Sequence, residues 1–366
     1  MPTHFLTPGA PLTLSTLAEL MASNETVALG PEAAASFAPA LAPAGGPELA
    51  TLRAQACGTG PEVPQPLVRL MLLLAAQQAV NQPTSLARPT AERLLALYNR
   101  ELLPVVFEQG GDAAALAHLA LPLLGEGEIN YQGYRLATAD AFSLFSWEPL
   151  TLRAGEAESL LLRGAPFTLA YAVDATLRTQ HLAQAAAAVR ALSVLAETAE
   201  ETALQIVLDT TAQAVAATLS QLAAAPLAPA LGQLAAAVAA LGQASAARTV
   251  RRAAGPGLGA AALGLAAHAA AGSQVVAIEA DAYAALRLRQ VVKNAELLLG
   301  LELLAAAGAP VAEPVAGTSE PGETLLAAFR MAVSAGGPEA APYPALRQAA
   351  AFVRRHLWPA AGPGGA

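Results

Sequence analysis

Residues 104–131 read PVVFEQGGDAAALAHLALPLLGEGEINY. Pro104, Val105 and Val106 open it as a short extended run. Gly110 and Gly111 then break the chain, since paired glycines mark a turn that other residues cannot follow cheaply. From Asp112 to about Leu124 the spacing of Ala and Leu predicts a helix, with Asp112 placed as its N-cap. Gly125-Glu126-Gly127 ends that helix, and Glu126 to Arg135 is the expected β-turn or short hairpin.

Outward from this segment the chain is mostly helical in pattern. Towards the amino terminus, Leu67–Asn81 and Thr90–Asn99 carry apolar residues at helical spacing, with Pro83 and Pro89 breaking the chain between them. Shorter helices are expected at Leu12–Met21, capped by Thr13 or Ser15, and at Glu32–Pro39. Ala42 to Pro47 is a loop by composition. In the other direction, Ala137–Leu144 is a short helix. Asp174–Leu222 reads as one or two long alanine-rich helices, with Glu197, Glu200 and Glu201 on a solvated face. Further helices cover Ala230–Arg252, Gly255–Ala271 and Ile278–Ala307. A linker to Gly322 and two short helices complete the chain.

Composition agrees with this. Of 366 residues only 13% are charged and 4% aromatic, and the net charge is -8. Alanine favours helix but buries little area, so long helices packed closely through small side chains are expected. No basic stripe offers itself to nucleic acid. Mean hydropathy is positive, yet the most apolar windows, Leu222–Gly242 and Gly255–Ile278, owe this to alanine and are interrupted by Pro226, Pro229, Gln233, His268 and Gln274, so no membrane span is expected. No charged segment precedes a hydrophobic core at the amino terminus, and no secretory signal is expected. Cys57 is the one cysteine, which excludes an intrachain disulfide and suits a cytoplasmic location.

The segment and its flanks resemble the aromatic amino-acid ammonia-lyase family (histidine, phenylalanine and tyrosine ammonia-lyases and related aminomutases). The likeness rests on Pro104-Val105-Val106, Gly111-Asp112, Leu116-Ala117-His118 and Gly125-Glu126-Gly127. It extends to Glu48–Pro64, to Trp147-Glu148-Pro149-Leu150, to Arg153–Ala172, and to the helix running from Val292 to Ala307. The implied fold is mainly α: a smaller amino-terminal region of helices and turns (1–172), a bundle of long helices (173–308), then a linker and short helices (309–366).

The same residues part from the family where its chemistry resides. The family builds an electrophilic methylidene-imidazolone from Ala-Ser-Gly, but here Gln109-Gly110-Gly111-Asp112 bridges that place, so the cofactor is expected to be absent. The family's Ser-His pair reads Ala54-Gln55. Its catalytic tyrosine loop has no counterpart, since no tyrosine precedes Tyr98. Its asparagine near the cofactor is replaced by Arg163-Gly164-Ala165, and its acidic-Asp-His cluster is reduced to Ala280-Asp281-Ala282. The chain is also shorter than a full family member.

No confident catalytic residue emerges. The residual pocket candidates are Gly110, Gly111, Asp112, His118 and Arg163. His118 reads as a helix histidine satisfying a buried carbonyl, ahead of any catalytic role. His4, His181, His268 and His356 form no ligand pair, so no metal site is expected. Glu126 and Glu128 read as a solvated turn. Gly255-Pro256-Gly257-Leu258-Gly259 lacks the preceding strand a phosphate loop needs. Arg248, Arg251 and Arg252 could grip a carboxylate or a partner's acidic face, but a solvated helix end is the expectation. The leading expectation is a degenerate family member, a pseudoenzyme associating with itself or with an intact lyase paralogue. The alternatives are an active lyase or aminomutase acting on an aromatic amino acid such as histidine or tyrosine, and a small-molecule binding module that takes an aromatic amino acid.

Overall fold

Wherever leucine and alanine recur at helical spacing without a proline or glycine pair, the chain forms helix. The computed structural model describes residues 2–23, 25–37, 43–162, 165–190, 192, 199–221, 226–252, 256–273, 280–308, 320–333 and 343–358. These divide into two compact units, Met1–Val173 with Val215–Pro226, and Asp174–Ala214 with Leu227–Ala366.

The first unit begins with β1 (Thr3–Leu6), α1 (Leu14–Ala22) and β2 (Thr26–Leu29). α2 (Pro31–Ser36), α3 (Gly46–Gln55), β3 (Thr59–Glu62), α4 (Gln65–Asn81) and α5 (Arg88–Asn99) follow. Then come β4 (Leu103–Pro104), β5 (Phe107–Gln109), α6 (Gly111–Ala120) with a tighter turn at Leu121–Leu124, β6 (Glu128–Tyr131), β7 (Tyr134–Ala137), α7 (Thr138–Ser143) and α8 (Glu156–Leu162). α9 (Pro166–Arg190) starts in this unit and α10 (Ala199–Gln221) ends in it.

α4 is the core of this unit. Between Leu67 and Val80 every residue except Arg69 is buried, so the helix is covered on all faces. α1 is capped as expected, with Thr13 Oγ1 accepting the Thr16 N–H. The expected hairpin is β6–β7, turning through Gln132 and Gly133, both at positive φ (50° and 84°). Such a two-residue turn matches the right-handed strand twist. β1 and β2 form a parallel pair absent from the sequence expectation. Its strands are four residues each, too short to show a period. β2 is held instead by Asn99, whose amide bonds the Val27 N–H and carbonyl, each at 2.8 Å.

The second unit contains the rest of α9 and α10, with α11 (Ala228–Arg252), α12 (Pro256–Gly272), α13 (Asp281–Ala307), α14 (Glu320–Ala332) and α15 (Tyr343–Arg355). α13 is central, buried from Leu288 through Leu303 at most positions and packed on α11, α12 and α15. Gly242 and Gly300 permit the close approach. A Cβ on Gly242 would lie 2.9 Å from Leu298, and one on Gly300 3.1 Å from the Ala349 backbone. α11 is the one described helix long and apolar enough to cross a membrane, and 56% of its most apolar window is buried inside the protein.

Three sequence expectations are corrected here. Arg248 is not at a solvated helix end: it donates to fully buried Glu302 at 2.6 and 3.0 Å, Ser245 joins at 2.8 Å, and Arg252 at 3.2 Å. The arginine cluster does grip a carboxylate, but an internal one. Glu201 is not on a solvated face, because it pairs with Arg190 at 2.7 Å with little exposure. Pro256 to Gly259 form the first turn of α12, so no phosphate loop stands there. Glu197 lies outside the described residues.

Candidate functional site

The segment from β5 into α6 carries the site, and its backbone is set by glycine. Gly110 has φ +132° and Gly111 φ +76°, in the half of conformational space that side chains disfavour. A Cβ on Gly110 would also lie 2.7 Å from the Ala114 methyl. The chain therefore passes directly from strand to helix. Asp112 is not the N-cap, as the sequence suggested. Gly110 holds that position, with no side-chain cap.

The Asp112 carboxylate turns outward to another helix. It accepts the Thr168 N–H at 3.2 Å and the Thr168 hydroxyl at 2.9 Å, in the first turn of α9. A carboxylate near two helix amino termini is favoured by both dipoles. One residue before Gln109, Glu108 accepts the hydroxyl of fully buried Tyr171 at 2.7 Å. Both acids flanking the Gly-Gly turn thus tie it to α9.

His118 lies on the opposite side of α6. Its Nε2 accepts the Gly58 N–H at 3.1 Å, and its ring meets Phe107 edge-on at 5.1 Å. It satisfies a backbone N–H rather than the carbonyl expected, so the ring carries its proton on Nδ1 when neutral. Burial pushes its pKa below the ordinary histidine value, in keeping with an imidazole used as an acceptor. The turn that carries Gly58 and Gly60 is shaped around these neighbours. A Cβ on Gly58 would sit 3.1 Å from the His118 ring, and one on Gly60 2.6 Å from the Gln109 side chain.

Beside the first turn of α6 opens a cavity of about 260 Å³, lined by Glu48, Thr51, Gln55, Ala113, Glu158 and Leu161. Glu48 also accepts the Gly155 N–H at 3.0 Å. The sequence reading missed Glu48 and Glu158. A signal was available, because Glu48, Thr51 and Gln55 stand at i, i+3 and i+7 on one face of α3. Gly111, Asp112 and the cavity share one helix start, whereas His118 belongs to the far end of α6. Arg163 lies outside the described residues.

The residues present do not fit a prosthetic group made by cyclising Ala-Ser-Gly. The run Glu108-Gln109-Gly110-Gly111-Asp112 supplies no serine hydroxyl to eliminate. What remains is a glycine turn at a helix start, next to a cavity with two carboxylates, an amide and a hydroxyl. This arrangement can hydrogen-bond a small polar molecule.

Residues 47–223 match the family described as aromatic amino acid lyase. The chain belongs to the aromatic amino acid lyase family. Among its relatives, the histidine ammonia-lyase of Bradyrhizobium diazoefficiens is 38% identical over 144 residues, covering 38% of this chain and 27% of that protein. The histidine ammonia-lyase of a Geobacillus species is 36% identical over 148 residues, covering 39% of this chain and 29% of that protein. The chain thus matches less than a third of the length of these curated relatives. In fold, the crystal structure of histidine ammonia-lyase from Trypanosoma cruzi superposes with a TM-score of 0.80 at 18% identity, over 96% of this chain and 93% of that one. Tyrosine aminomutase from Streptomyces globisporus gives 0.79 at 18% identity, over 97% of each chain. The mainly helical lyase architecture expected from the sequence is the one observed.

Proposed function

We propose that this lyase-family chain does not eliminate ammonia and serves as a scaffold or partner subunit, assembling with itself or with an intact paralogue. The observation that carries this reading is the glycine turn between β5 and α6. Gln109-Gly110-Gly111 occupies the place of the triplet that becomes the family's electrophile. Acid and tyrosine side chains on either side are spent on fixing α9. An enzyme needs its groups as one constellation. Here Gln55 stands for an imidazole, and His118 has its Nε2 occupied by a backbone N–H.

Assembly is supported by side chains left in solvent on the long helices. Ile206, Val250, Leu263 and Tyr283 are large and exposed on α10 to α13, and flat alanine-rich faces suit helix packing between subunits. Light scattering on the purified chain, alone and mixed with an intact lyase, tests this. A homo-oligomer or a mixed species is expected, and a monomer under both conditions would overturn the scaffold role.

A second reading rests on the cavity at α6. Its size and polar lining suit a small-molecule binding module that retains an aromatic amino acid without transforming it. Equilibrium dialysis with L-histidine, L-tyrosine and L-phenylalanine checks it, and Ala113→Phe, which fills the cavity, is expected to abolish retention.

A further inference from the structure

α4 is buried at every position from Leu67 to Val80 but one, and that one is Arg69. Its guanidinium stacks on the Tyr98 ring, with Cζ 4.4 Å from the centroid. Stacking satisfies the face of the guanidinium and leaves its edge, where the N–H donors lie, unanswered. Nε is buried with no hydrogen-bond partner among the described residues. Tyr98 is 2% exposed, and no acceptor or donor among the described residues meets its hydroxyl. Buried donors without partners are uncommon in folded proteins and call for an occupant.

Both side chains line one cavity of about 200 Å³ between α1, α4, the end of α5 and β4. Leu20, Leu70 and Leu73 make its apolar wall. A void of about 150 Å³ with apolar walls already admits benzene. Gln65 and the exposed Glu101 also line it. We propose that this cavity is a binding site for a small organic monocarboxylate with a compact apolar body, the carboxylate meeting the edge of Arg69 and the Tyr98 hydroxyl. A planar carboxylate matches the guanidinium fork. The carboxylate of Glu101 disfavours a second negative charge on the ligand. Burial, the largest influence, holds the Tyr98 phenol above its ordinary pKa, so it stays a neutral donor. The site is separate from the α6 turn and does not depend on the scaffold reading.

Calorimetric titration of the full chain with benzoate tests the proposal, with benzylamine as the cationic isostere. Saturable one-to-one binding of benzoate is expected, with no binding of benzylamine. Arg69→Met is expected to weaken benzoate by about tenfold or more, since it deletes the charged partner and keeps the apolar stem. Should Arg69→Met fail to fold, Tyr98→Phe removes one hydroxyl alone, and is expected to weaken benzoate severalfold. Absence of saturable benzoate binding would overturn the site. Equal affinity for benzylamine, or benzoate affinity unchanged in Tyr98→Phe and in any folded Arg69→Met, would overturn it as well.

Discussion

The Asp112 carboxylate holds Thr168 twice, by its backbone N–H at 3.2 Å and by its hydroxyl at 2.9 Å. The first turn of α6 thereby caps the first turn of α9. The same device recurs. Asp281, at the start of α13, accepts the N–H groups of Leu227 and Ala228 at 2.9 and 2.7 Å, where α11 begins. Buried Glu156 accepts the Ala87 N–H and, at 2.9 Å, the Thr90 hydroxyl at the start of α5. Helix starts need acceptors because their first N–H groups have none within the helix. Here acids from other helices supply them.

Asp112→Ala is expected to destabilise the chain by about 1–2 kcal/mol, the usual range for a lost cap. Asp112→Asn, which keeps an acceptor oxygen, should lose less. Urea unfolding compares the two, and equal losses would show that shape, not the hydrogen bonds, is what matters there.

Glu302 is fully buried beneath Arg248, Ser245 and Arg252. Glu302→Ala should cost about 3–5 kcal/mol, because Arg248 is left as an uncompensated buried charge. The double change Glu302→Leu with Arg248→Met is expected to recover much of that. Thermal unfolding of wild type, single and double variants measures it.

Burial lowers the pKa of His118, and burial is likewise the main cause for His181 and His356. The unfolded chain therefore takes up protons near pH 6.5 while the folded chain resists until a lower pH. Their contribution to stability is complete above about pH 6.5 and is lost as pH falls through the window beneath it. Urea midpoints at pH 7.5 and 5.5 should show the drop, and His118→Gln should make it smaller.

Gly110 and Gly111 separate two kinds of glycine requirement. Alanine at Gly110 meets both an unfavourable φ and the Ala114 methyl at 2.7 Å, whereas at Gly111 only φ opposes it, with no atom within 4 Å. Gly111→Ala should cost about 1 kcal/mol and Gly110→Ala clearly more, about 2–3 kcal/mol. Chemical denaturation of both variants gives the order, and a reversed order would refute this backbone geometry.

The helices were legible because alanine and leucine repeat at a helical period over many turns, as in α4, α5, α11 and α13. The β6–β7 hairpin was legible from Gly133 within a run of strand formers. The parallel pair β1–β2 was not, since four-residue strands joined through an intervening helix leave no local pattern. Around the site, the substitution of Gln109-Gly110-Gly111 was visible in the sequence. The partners of its neighbours were not: Asp112 looks like a local cap, and only the folded chain brings Thr168, 56 residues away, to its carboxylate. Arg248 looked solvated for the same reason, its acceptor lying 54 residues on at Glu302.

Release of ammonia by the purified chain, supplied in turn with L-histidine, L-tyrosine and L-phenylalanine and followed together with the ultraviolet absorbance of the unsaturated acids, tests the central claim most directly. The glycine turn predicts no turnover with any of the three from a folded, helical protein. Clear turnover, lost on changing His118, would mean that the chemistry has been rebuilt on other groups and that the non-catalytic account is wrong.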